Sequence, residues 1–120
     1  PWVGAHDPQP VPGREGWTAL FDNHGARGVT PPRSRVVLTD GRRLEEFGVR
    51  SAPFRSRVCG SIAPLEGGGW LVTSTTEGRA LAFGPSGALA WEFRTPFRVD
   101  EQGLIAALLD VRPLRLTAPR

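Results

Sequence analysis

Lysine is absent from this 120-residue chain, and all fifteen of its basic residues are arginine. A GC-rich coding sequence accounts for that bias without any functional demand. The net charge is only +3 despite a pI near 10.9, the arginines are scattered, and no nucleic-acid-binding motif is present. Seven arginines do fall between Arg33 and Arg57, but Asp40, Glu45 and Glu46 sit among them. That stretch reads as a solvated rim, and nucleic acid is not expected as a partner. Cysteine is reduced to Cys59, which excludes an internal disulfide and a CxxC metal site. No apolar run approaches the ~20 residues of a membrane-spanning helix, and no signal-peptide pattern is visible. A GxSxG elbow, a P-loop, an HExxH motif and a carboxylate pair at acid/base spacing are all missing. With only His6 and His24 available, no metal or cofactor is expected.

Glycine (15) and proline (12), by contrast, make up more than a fifth of the chain. Such punctuation alone is compatible with disorder. Four Trp, six Phe and 39% hydrophobic residues argue for a packed core instead. The apolar residues come in short runs cut by Gly, Pro, Asp or Asn, the pattern of many short strands rather than helices.

The runs repeat. "PVPGREGWTALFDNHG" from Pro10 resembles "PLEGGGWLVTSTTEG" from Pro64, and "SRVVLTDGRRLEEF" from Ser34 resembles "GRALAFGPSGALAWEF" from Gly78. Aligned on Gly16-Trp17 and Gly69-Trp70 the offset is 53, and on the two Glu-Phe pairs it is 46. A repeat of ~45–50 residues holding four strands has the size of a propeller blade. Strands are predicted at Val3–Gln9, Trp17–Asp22, Ser34–Thr39 and Arg43–Gly48, then at Arg57–Pro64, Trp70–Thr75, Arg79–Phe83 and Leu89–Arg94. In the last of these, Leu89, Trp91 and Phe93 share one face. The expected fold is therefore all-β, with two four-stranded antiparallel blades over residues 1–54 and 55–98. Residues 99–120 are expected to start a third, with a strand within Leu104–Leu114; a short helix capped by Asp100 is the other reading. Closed propellers have about 4–8 blades, so this chain is expected to be part of a longer one and to pack against further blades.

Chemistry in such a fold collects at the innermost strands and the end loops. His6 and Asp7 lie on the first strand of unit one, where unit two has Cys59, Gly60 and Ser61. The loop "FDNHGARG" presents Asp22, Asn23, His24 and Arg27 within six residues. A cation, an imidazole and an amide suit an anion such as sulfate or phosphate; a plain polar turn uses the same residue types.

"HDPQPVPG…WTALFDNHGARG…SRVV", followed by "CGSIAPLEGGGWLVTSTTEGRALAFGPSGALAWEF", resembles the bacterial arylsulfotransferase-type propellers across about Ala5 to Phe97. The resemblance implies a six-bladed propeller, often periplasmic or otherwise extracytoplasmic. It implies transfer of a sulfuryl group from an aryl sulfate to a phenol acceptor through a transiently sulfated histidine, with no nucleotide donor. By motif position His6 matches a channel histidine, Arg27 the arginine after "FDN", and Asn23 a looser polar position. Imidazole is a competent nucleophile, and His, Asn and Arg can hold the developing charge. The nucleophilic histidine itself has no assigned position in this segment. A non-catalytic binding propeller is the alternative, and a quinone-dependent propeller rests only on the "GALAWEF" line.

Overall fold

A computed structural model of the chain describes residues 4–25, 30, 32–47, 52–98 and 107–114. The described chain is all-β, with one short 3₁₀ turn at Thr75–Glu77. Strands β1 (Ala5–Pro10), β2 (Thr18–Asp22), β3 (Arg35–Thr39) and β4 (Leu44–Phe47) form one antiparallel sheet in chain order. Strands β5 (Ser61–Pro64), β6 (Trp70–Ser74), β7 (Arg79–Phe83) and β8 (Leu89–Arg94) form a second in the same order. Every pairing is antiparallel, as short connections between neighbours require.

The strand predictions hold with three differences. The first strand of unit two begins at Ser61 rather than Arg57, because Cys59 and Gly60 turn at φ 56° and 105° and cannot extend the ladder. The two Gly-Trp pairs are one residue out of structural register. Val11 N–H donates to the Trp17 carbonyl, whereas Leu65 N–H donates to that of Gly69, so Trp17 corresponds to Gly69 and Thr18 to Trp70. Unit one has a longer turn, and its Trp17 sits outside the ladder under the guanidinium of Arg14, 3.4 Å from the ring centre. Gly69 cannot be exchanged for such a residue: at φ 91° a Cβ would lie 2.1 Å from the Phe83 carbonyl oxygen. The third difference is the tail. Residues 107–114 run without strand or helix, and the rest of the expected third-unit strand, with Asp100, lies outside the described residues.

The sheets stack face to face. Ala19, Phe21, Val36 and Leu38 of the first meet Ile62, Val72, Leu81 and Phe83 of the second, with Phe54 of the connecting segment between them. Fully burying each such side chain contributes about 1.5–3 kcal/mol. The central strands β6 and β7 are buried along their whole length, which is why they read as continuous apolar runs. The outer strands β4 and β8 carry the charges, Glu45, Glu46, Glu92 and Arg94, as edge strands do.

Register shows what the repeated "R…EF" lettering is for. Arg35 at the start of β3 pairs with Asp22 and with Glu46; Arg79 at the start of β7 pairs with Glu77 and Glu92. Arg79 also holds the Glu92 carboxyl below its usual range, through a 2.6 Å hydrogen bond. The phenylalanines that follow differ in fate. Phe47 meets Phe83 of the second sheet edge-on at 6.1 Å, while Phe93, at the equivalent position, is 47% exposed. Of Leu89, Trp91 and Phe93, expected on one face, Trp91 and Phe93 pair opposite Ala82 and Ala80, whereas a register shift sets Leu89 opposite Phe83. That face looks away from the first sheet.

Residues 107–114 lie across the inner part of it. Val111 packs on the cluster of Ala63, Leu71, Ala80 and Ala82, and its N–H donates to Thr73 Oγ1 at 3.0 Å. Ser61 Oγ donates to Asp110 at 2.5 Å, and Arg112 Nε donates to the other carboxylate oxygen at 2.7 Å.

Two outcomes follow from this packing. Phe54→Ala should lower the unfolding free energy by about 3–5 kcal/mol, read as a fall in the urea midpoint. Trp91→Ser, on the open face, should cost no more than about 1 kcal/mol. Losses of equal size would show that Phe54 is not a core residue. Asp110 is held below the ordinary carboxylate range, first by the Ser61 hydroxyl and then, against desolvation, by Arg112. A depressed folded-state pKa adds stability above the unfolded value and loses it as pH falls through the folded one. Residues 107–114 should therefore stay docked at neutral pH and loosen in acid, below about pH 4. Nuclear Overhauser contacts between Val111 and Leu71 would report it, and Asp110→Asn should abolish the pH dependence.

Candidate functional site

The segment joining the two sheets crosses from the outer strand β4 back to the first strand β5. Between 52 and 57 it alternates: Ala52, Phe54 and Ser56 point into the interface, and Pro53, Arg55 and Arg57 point out. An interior crossing leaves backbone polar groups without a ladder, so side chains must satisfy them. Ser34 N–H donates to the Phe54 carbonyl, and Ser34 Oγ accepts from Ser56 N–H at 2.9 Å. The same hydroxyl lies within donating distance of the Asn23 and Ser56 carbonyls, at 2.7 and 3.2 Å. Asn23 gives its amide N–H groups to the carbonyls of Ser56, at 2.9 Å, and Cys59, at 2.7 Å.

His6 comes to the same place. Its Nε2 lies 3.1 Å from the Cys59 carbonyl oxygen. A carbonyl only accepts, so Nε2 carries the hydrogen, and in the neutral ring Nδ1 keeps the lone pair. The imidazole sits 5.2 Å from the Phe21 ring, tilted by 34°. Beneath it Gly60 has φ 105°, and a Cβ there would lie 2.5 Å from Phe21 Cζ, so only glycine lets the chain pass over that ring. Asp7 adds a third tie: one carboxylate oxygen accepts from Ile62 N–H at 2.8 Å, the other from Gln9 Nε2 at 3.0 Å. To do so it takes a left-handed conformation, φ 51°, inside a break of the β1–β2 register. Such a residue costs about 1–3 kcal/mol and persists where its surroundings over-determine it.

Of the predicted site residues, the structure brings His6 and Asn23 together on one carbonyl, and Arg27 lies outside the described residues. His24 turns back on its own loop, its N–H donating to Asp22. Ser34 and Ser56, which hold the crossing segment from within, carried no sequence signal beyond a small polar residue before an arginine. The Cys59 thiol is exposed, and among the described residues no group of three His, Cys, Asp or Glu is placed to hold a metal. No helix among those residues is long and apolar enough to cross a membrane.

A cavity of about 1070 Å³ opens elsewhere, between the sheets at the end of the Val11–Trp17 and Leu65–Gly69 turns. Leu38, Phe47 and Trp70 line it together with Glu66, and of its other charges Arg14 pairs with Glu45 and Glu46 with Arg35. Neither His6 nor Asn23 reaches it. Comparison with family models, curated proteins and solved structures finds no match to this chain.

Asn23→Ala should cost about 1–3 kcal/mol, since it strands two carbonyls. Asn23→Asp should cost more at pH 7, because a carboxylate would face those carbonyls, and should recover in part as acid protonates it. Denaturant melts of both variants at two pH values check this. A neutral effect of Asn23→Asp would show that the amide does not hold the crossing segment.

Proposed function

We propose that the chain forms two consecutive blades of a β-propeller and serves as a non-catalytic ligand- or protein-binding scaffold. The repeat of faces supports the propeller reading. The surface of the first sheet that takes the second corresponds, position for position, to the outward surface of the second, with Phe93 standing where Phe47 stands and Leu71, Ala80 and Ala82 where Ala19, Val36 and Leu38 stand. A further blade is the natural cover for Trp91 and Phe93, which are half exposed. The scaffold reading rests on one observation: Asn23, Ser34, Ser56 and Asp7 spend their hydrogen bonds on backbone of the crossing segment and of β5. The cavity beside Trp70, lined by Leu38, Phe47 and Leu65 as well as by charged residues, suits a small molecule or a peptide segment.

Sulfuryl transfer, the activity implied by the resemblance to arylsulfotransferase-type propellers, is the second reading. It draws support from His6, whose Nε2 is anchored on a carbonyl and whose Nδ1 keeps its lone pair. An imidazole so oriented is a nucleophile in form. In this reading Arg27 would neutralise the sulfuryl oxygens, and the donor and acceptor are an aryl sulfate and a phenol.

One assay separates the two. With 4-nitrophenyl sulfate and excess phenol, the scaffold reading expects no nitrophenol release above buffer. Release that is lost in His6→Ala and retained in Cys59→Ser would overturn it in favour of transfer.

A further inference from the structure

We propose that the outward side of the crossing segment is an oxyanion cleft that takes a phosphate monoester dianion. The inference is independent of either reading of His6, which does not line the clefts concerned. Among the described arginines, Arg14, Arg35, Arg43, Arg79, Arg94 and Arg112 are all in ion pairs with carboxylates. The guanidiniums of Arg33, Arg55 and Arg57 have no partner among those residues, and these three share one region of the surface. Arg55 and Arg57 line an open cleft of about 610 Å³ with Val58, Thr76 and Glu77. Arg33 and Arg55 line the adjoining cleft of about 250 Å³.

Among the described residues three cations thus face one carboxylate, and that carboxylate is occupied. Glu77 Oε2 accepts from Arg79 at 3.0 Å and from the Ser74 hydroxyl at 2.8 Å. The arginines are also held in place from beneath. Arg57 N–H donates to Thr76 Oγ1 at 3.0 Å, and the Thr76 hydroxyl donates to the Arg55 carbonyl at 3.3 Å. Ser56, between them, is fully buried with its N–H, carbonyl and hydroxyl all bonded. A backbone fixed at both faces presents both arginines on its outward side, with Cα atoms about 7 Å apart, the i to i+2 spacing of extended chain. Unpaired arginines on a rigid mount lose less entropy on binding than mobile ones, and guanidinium suits phosphate oxygens through paired N–H donors. Two to three positive charges favour a dianion over a singly charged ester.

The test is a titration of the intact chain with inorganic phosphate, then phenyl phosphate, at constant ionic strength, followed by nitrogen–proton correlation spectra. Saturable shifts should be confined to the side-chain Nε–H of Arg33, Arg55 and Arg57 and the backbone N–H of residues 55–58 and 76. Arg55→Gln/Arg57→Gln should weaken binding at least about tenfold, the loss of two charge-assisted contacts, with an unchanged melt. Arg42→Gln/Arg43→Gln, on the exposed β3–β4 turn, should not weaken it. A phosphate monoester loses its second charge near pH 6, so affinity for phenyl phosphate should fall about tenfold between pH 7.5 and pH 5. Among the described residues Glu77 is the carboxylate lining the cleft, and inorganic sulfate supplies the control whose charge does not change. Equal weakening in both double variants, shifts spread over all exposed arginines, or binding of an oligonucleotide but not of phosphate would each overturn the proposal.

Discussion

Everything between the two sheets depends on one buried hydrogen-bond network, centred on Ser34, Ser56 and Asn23. The chain must return from an outer strand to a first strand through the interface, where water cannot serve its peptide groups. Ser34 on the first sheet and Ser56 on the crossing segment satisfy each other's backbone, and Asn23 reaches two more carbonyls. Left unmet, each would cost about 1–3 kcal/mol, comparable to the contribution of a core side chain. Only with those groups satisfied can Phe54 sit between Phe21 and Phe83, at ring distances of 5.9 and 6.2 Å.

The same network explains why polar residues that look catalytic in a linear sequence are so placed. His6, Asp7 and Asn23 all bond to main chain of the other unit or of the segment leading to it. A hydrogen-bonding side chain at an interface serves cohesion first, and chemistry is left to whatever lone pair or proton is not already used. For His6 that is Nδ1; for Asn23 no amide hydrogen is left over.

Much of the architecture was legible beforehand. Alternation in β8, short apolar runs such as those of β6 and β7, and Gly-Pro punctuation located eight strands, because periodicity and turn chemistry are local properties. The Gly-Trp alignment went one residue astray for an equally physical reason. Trp17 and Trp70 share a neighbour but not a place, since the longer turn of unit one lets its tryptophan stack on Arg14 instead of entering the ladder. The site was legible only as residue types: the composition of "FDNHG" fits an anion loop and a structural bracket equally well.

What the sequence by itself determined was the period, the strand inventory and the paired "R…EF" marks, all fixed by short-range pattern. What only tertiary structure decided was the use made of each group. It turned Asn23 and Ser34 inward to backbone, turned Arg55 and Arg57 outward without partners among the described residues, and left Phe93 uncovered where Phe47 is packed. The reason is that hydrogen-bond satisfaction and burial are set by residues tens of positions away, and no local spacing records which surface those residues will bring.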